Sequence, residues 1–128
     1  MKYLIDTHVL IWHGENNPAL KPHVLAMLND PTNEILVSHA SLWEMAIKIS
    51  LGKLTLGFPI SQLEAALQQN GFELLSFDFR HYQAFSTLPF HHYDPFDRMM
   101  IAQAIVEDIE IITHDDKFRL YPVKIVWA

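Results

Sequence analysis

Short apolar or β-branched runs recur at residues 2–5, 35–37, 73–75, 110–113 and 124–126, each of strand length. Several are apolar at consecutive positions instead of alternating, as strands buried on both faces of a parallel sheet are. Between them the spacing turns helical, over residues 22–29, 42–51, 60–69, 79–88 and 95–108. Leu63, Leu67 and Asn70 keep helical spacing and Gly71 marks the stop. Met100, Ile101, Ala104 and Ile105 make an apolar stripe in the last and longest of these segments. Strands alternating with helices predict right-handed crossovers and an α/β sandwich around a parallel sheet. In such folds ligands bind beyond the carboxyl ends of the strands, at a topological switch.

Composition sharpens the picture in three respects. With 128 residues, half of them apolar, the chain can bury one core without staples, so residues 1–128 are expected to form a single domain. The absence of cysteine removes disulfides, thiolate zinc sites and cysteine nucleophiles. It also fits a reducing cytoplasm, the expected location. No run approaches the roughly 20 apolar residues of a membrane span, so no membrane association is expected. The formal net charge of −6, with nine Lys and Arg, argues against holding nucleic acid mainly by phosphate neutralisation. It does not argue against a nuclease that meets phosphate through carboxylate-bound cations.

Four acids fall where this architecture gathers side chains at the strand exits. Asp6 closes the first strand and Asp115 follows the fourth. Glu44, within Ser41-Leu42-Trp43-Glu44, and Asp97, within Asp94-Pro95-Phe96-Asp97-Arg98, read as first-turn residues of helices. Each also has a structural reading. Ser41-x-x-Glu44 matches a capping box, Asp94-Pro95-x-Asp97 matches a helix start, and Asp6 and Asp115 suit turns. The joint pattern is what raises a chemical question. Two carboxylates about 4 Å apart repel by roughly 4 kcal/mol at an effective dielectric near 20, so a cluster opposes folding unless it is protonated or neutralised. All-oxygen ligands select hard cations such as Mg²⁺ or Mn²⁺ and suit phosphodiester hydrolysis by an activated water.

The ordered segments Tyr3-Leu4-Ile5-Asp6-Thr7-His8, Ser38 through Lys48, His92 through Arg98, Ile101-Ala102-Gln103-Ala104 and Thr113-His114-Asp115 with Phe118 beyond together resemble a PIN-domain ribonuclease, specifically the VapC-like toxin of a type II toxin-antitoxin pair. The resemblance spans nearly the whole chain. It implies a three-layer α/β/α sandwich with a five-stranded parallel sheet. It also implies a catalytic Mg²⁺ or Mn²⁺ site built from Asp6, Glu44, Asp97 and Asp115, an RNA substrate, a homodimer and a cognate antitoxin. Asp97 rather than Asp94 matches the family's acid, five residues before Ala102. Asp116, next to Asp115, is open to a one-residue exchange of roles.

Thr7 and Thr113 carry hydroxyls placed either to support a carboxylate or to cap a turn. Arg98 is placed either to meet the acids or phosphate or to lie exposed on its helix. Eight histidines raise zinc, but there is no H-x3-H helical pair, and adjacent His91 and His92 do not converge on one ion. His8, His39 and His114 lie near the expected site, placed either to contact RNA or tune the ligands or, the default, to pack as partly buried polar residues. Trp12, Trp43 and several phenylalanines are suited to core, partner contact or base stacking. Two competing functions share the carboxylate logic. A phospho-accepting receiver would want paired acids after the first strand, where only Asp6 stands. A phosphomonoesterase would want a more cationic pocket.

Overall fold

The computed structural model describes residues 1–127. In chain order it contains β1 (Lys2–Ile5), α1 (Thr7–Glu15), α2 (Pro22–Asn29), β2 (Glu34–Ser38), α3 (His39–Ser50), α4 (Leu63–Gln69), β3 (Phe72–Leu75), α5 (Phe79–Thr87), α6 (Pro95–Glu107), β4 (Glu110–Thr113) and β5 (Ile125–Trp127). Single 3₁₀ turns precede α4, at Ile60–Gln62, and β5, at Asp116–Leu120. The five strands pair in parallel in the order β3-β2-β1-β4-β5, as the alternating pattern predicts.

The consecutive apolar strand residues are explained by burial on both sides. Tyr3, Ile5, Val37 and Ile112 point into one core, filled from α1, α2 and α4 by Val9, Val24 and Leu67 among others. Leu4, Leu36 and Ile111 point into the second, against α6, Phe118 and Tyr121. The period-two geometry of a strand sends neighbouring residues to opposite faces, so the central runs are apolar at consecutive positions, whereas the edge strand β3 exposes Glu73 and Leu74. Helix α6 is buried without a break from Arg98 to Ala104. It is wider than a stripe, and Ile105, expected within that stripe, is exposed. Polar Gln103 is tolerated there because its side chain accepts from Ser38 Oγ and donates to the Ser76 carbonyl at 3.4 Å. It thereby ties the ends of β2 and β3 to α6.

Four boundaries depart from the sequence expectation. Helix α1 carries no amphipathic stripe and was not expected from the spacing. Its signals are terminal: Asp6 caps it by accepting from Val9 N at 2.8 Å, and Asn16 ends it in the left-handed region at φ 52°. Helix α3 begins at His39, three residues before the expected start, because Ser38 is the cap and accepts from Ala40 N. The Ser41–Glu44 capping box is therefore not formed, and Glu44 sits in the second turn. The segment 60–69 splits into a 3₁₀ turn and α4, and β5 lies one residue later than expected.

The strand order reverses between β1 and β4, so the switch point opens where Asp6 and Thr113 leave the sheet. Receiver domains instead place the first strand beside the third, which this chain does not do. No helix among the described residues is long and apolar enough to cross a membrane. Truncating Ile112, fully buried on a central strand, is expected to cost about 2–5 kcal/mol. Urea denaturation of Ile112→Ala reads this as a lower midpoint at unchanged slope.

Candidate active site

At the switch point one hydroxyl joins two acids. Thr113, the last residue of β4, donates through Oγ1 to Asp6 Oδ2 and accepts at the same oxygen from the Asp115 backbone N–H at 3.0 Å. Asp6 is buried, and its other oxygen caps α1. Burial pushes the Asp6 carboxyl above its ordinary value, against the opposing pull of the Thr113 and Val9 hydrogen bonds. Asp115 is half-buried and caps the following 3₁₀ turn through Lys117 N at 2.9 Å. Of the two readings open for Thr113, its hydroxyl does both: it donates to the Asp6 carboxylate and caps the turn at Asp115. Thr7 behaves differently, donating to Ser41 Oγ at 3.0 Å, so it ties α1 to α3 rather than holding an acid.

Asp97 enters from the opposite element. Asp94 caps α6, accepting from both Phe96 N and Asp97 N, with Pro95 at the first helical position. Asp97 is therefore held at the third position, where the positive end of the helix faces it. Its carboxyl is nevertheless pushed up to about 8, first by burial and then by the charges of Asp94, Asp115, Glu44 and Asp6. All four predicted acids therefore act within one electrostatic field. Glu44 is buried and pairs with Lys48 Nζ at 3.2 Å, while its Oε1 is buried with no hydrogen-bond partner. Asp116 is exposed at the rim and is not among the charges acting on Asp97.

Arg98 does not face the acids. Adjacent helical positions diverge by about 100°, and its guanidinium is buried on the far side. There it donates to Pro89 O at 2.8 Å and Tyr121 Oη at 3.1 Å, between the rings of Phe85 and Phe90. It reaches the site only through intermediaries. Tyr121 Oη must accept from Arg98, so its own proton goes to His92 Nδ1, 2.8 Å away. That leaves His92 Nε2–H to donate to Asp97 Oδ2 at 3.3 Å. Burial lowers the His92 pKa, which favours the neutral ring. The sequence marks His92 only as half of a dismissed zinc pair and as the start of a family-like segment, and does not mark Tyr121. Both lie outside helices and strands, where no periodicity marks a side chain's direction.

A second cluster, Asp78, His81 and Glu107, brings three ligand-type atoms together but is internally satisfied. His81 Nδ1 accepts from the Asp78 backbone N–H, so Nε2 carries the proton and donates to Glu107 at 3.0 Å. Arg80 contacts both carboxylates, at 2.7 and 3.1 Å, and holds Asp78 down at about 2. The cluster clamps α5 to α6. The switch-point acids differ, with an orphaned buried oxygen on Glu44 and excess negative charge around Asp97. Such an all-oxygen set fits a hard divalent cation.

Comparison with known proteins identifies the family and the fold. The PIN domain profile matches residues 3–124. Among solved structures, VapBC2 from Rickettsia felis bound to a promoter DNA fragment aligns with TM-score 0.75 and 19% identity over 99% of this chain and 98% of that one. DNA-bound VapBC from Salmonella typhimurium gives 0.74 and 18% over 99% and 98%. VapBC-1 from nontypeable Haemophilus influenzae gives 0.71 and 18% over 98% and 97%. At these identities the likeness is one of fold. No curated protein matches the chain.

The raised carboxyls carry a stability consequence. The folded state binds the Asp97 proton more tightly than the unfolded chain does, with pKa about 8 against 3.8. This contribution is fully present below the unfolded value and lost as pH rises through the folded one. Without divalent cations, thermal melts are expected to show Asp97→Asn more stable than the parent at pH 8, with the difference vanishing near pH 4. Millimolar Mg²⁺ or Mn²⁺ is expected to raise the parent's melting temperature at pH 8 by several degrees, and Asp6→Asn to blunt the rise. A parent unresponsive to either cation would show the acids to be independent of metal.

Proposed function

The chain belongs to the PIN domain family, a family of nucleases, and on that premise we propose that it is a Mg²⁺- or Mn²⁺-dependent endoribonuclease, the toxin of a type II toxin-antitoxin pair. The observation that carries this reading is the convergence of Asp6, Glu44 and Asp115 on Asp97, whose carboxyl is pushed up to about 8 first by burial and then by the charges of Asp94 and these three acids. A cation bound there supplies the positive charge that orients an attacking water and offsets charge developing on the phosphate.

The chain's own residues prepare that site. Thr113 fixes the separation of Asp6 and Asp115, His92 orients Asp97, and Lys48 occupies one face of Glu44 while Oε1 stays available. Residues 6, 44, 97 and 115 would hold the metal. Thr113 and His92 act through them, and Asp116 lies outside the ligand set. The acidic balance of the chain fits a substrate phosphate met through metal rather than through a basic surface.

The protein partners of the proposal rest on exposed apolar surface. A groove of about 210 Å³ runs between α1, α3 and α4, walled by Leu10, Ile11, Leu54, Leu56 and Phe58, and suits the apolar side chains of an antitoxin segment. The similar structures include a toxin-antitoxin complex from Klebsiella pneumoniae and VapBC-5 from Mycobacterium tuberculosis, a member of a family of toxin-antitoxin systems, which supports such a partner. Trp43, Phe90 and Tyr93 are more than half exposed, which supports a homodimer.

The test is direct. Purified free of any partner, the protein is expected to cut single-stranded RNA internally in Mg²⁺ or Mn²⁺. EDTA and Asp97→Asn are each expected to reduce cleavage to background. Cleavage that survives either treatment removes the mechanism. Light scattering on the same sample is expected to give twice the chain mass.

A further inference from the structure

We propose that the cavity flanking the switch-point acids is a subsite for one unpaired nucleobase of the RNA, stacked against Trp12. This deepens the ribonuclease reading and rests on it. The cavity has a volume of about 400 Å³ and takes Asp6 and Asp115 as one wall. Its other wall comes from α1 and the turn after β4: His8, Trp12, His114 and Lys117, with Asp116 at the rim.

Three features favour a base. First, Trp12 is half-buried and packs partly on the core, so its ring is held before any ligand arrives. Second, the His114 ring meets it edge-on at 5.1 Å and 67°, and the His8 ring lies 6.3 Å away. Imidazole N–H and nitrogen groups thus border an aromatic surface, the combination that reads a base by stacking plus edge hydrogen bonds. Third, Lys117 is exposed on the same wall and places a cation where a neighbouring phosphate would run. The cavity shares two acids with the metal-type site. A nucleotide whose phosphate lies at those acids therefore has its base within reach of Trp12.

The arrangement also answers the charge problem. With a net charge of −6 the chain has little general attraction for RNA, so affinity must come from contacts that ignore phosphate charge. Stacking does so, and tolerates any base because each has an aromatic face. A base inside a duplex has both faces covered by its neighbours. The subsite therefore admits loops and unpaired segments and turns paired RNA away.

The test separates this inference from catalysis by measuring binding in EDTA, in an Asp97→Asn background that does not cut. A fluorescein-labelled, unstructured oligoribonucleotide is titrated and its anisotropy followed. Adding Trp12→Ala is expected to weaken binding roughly tenfold, and Trp12→Phe to restore most of it. Because Trp12 also touches the core, far-UV circular dichroism checks the fold, and the exposed His8→Ala variant gives an independent, smaller loss. An abasic nucleotide moved along the oligonucleotide is expected to find one position that weakens the background protein roughly tenfold yet leaves the Trp12→Ala protein unchanged. Equal affinities for folded Trp12→Ala and its parent, or indifference to every abasic position, would overturn the subsite and leave the cavity to a protein segment. Metal-dependent cleavage, measured separately, would survive that outcome. Conversely, base-dependent binding without cleavage in any metal would keep the subsite and remove the nuclease.

Discussion

Like charges crowded into low dielectric are the constraint around which this molecule is arranged. Asp6, Glu44, Asp97 and Asp115 come from four separate elements, and nothing in their mutual interaction favours meeting. Attraction elsewhere holds them together. The sheet is covered on both faces, its central strands are apolar over Tyr3–Ile5, Ile35–Val37 and Ile111–Ile112, and α6 is buried along most of its length. The acids then sit at the edge of a framework too well packed to relax away from them. Local hydrogen bonds do the finer placing: the Thr113 hydroxyl between two acids, the Asp94 cap beneath Asp97, and the relay from Arg98 through Tyr121 and His92.

That relay shows how a buried cation serves an anionic site without touching it. Arg98 can only donate, so it fixes the role of the Tyr121 hydroxyl, which fixes the tautomer of His92, which presents a donor to Asp97. The guanidinium is satisfied by carbonyls and flanked by two aromatic rings, so it does not collapse onto the nearest carboxylate. Removing any member would leave a buried polar group without its partner.

Much of this was legible in the residues, and the exceptions follow a physical rule. Features written in periodicity or in terminal chemistry could be read. The strand pattern, the Pro22–Asn29 helix and the Asp94-Pro95 start of α6 all correspond to observed elements. Side-chain direction could not be read where neighbours in space are far apart in sequence. The sequence places Arg98 by default in solvent, with the site as the alternative, and it is in neither place, because partners around residues 85–90 and 121 decide its course. His92 and Tyr121 meet across a gap no local pattern records. Helix α1 escaped because its residues are apolar nearly all round, which left only its caps as evidence. The start of α3 was misplaced because Ser41 and Glu44 imitate a cap that Ser38 in fact provides.

Asp6 does two jobs and Asp97 does one. Asp6 caps α1 with one oxygen and joins the acidic field with the other, whereas α6 is capped by Asp94 and owes Asp97 no backbone bond. The two positions should therefore fail differently under genetic drift. A lineage that lost Asp6 would weaken the start of its first helix as well as the acidic field, at about 0.5–2 kcal/mol for the lost cap. A lineage that lost Asp97 would relieve the crowded charge and keep every backbone hydrogen bond of the fold.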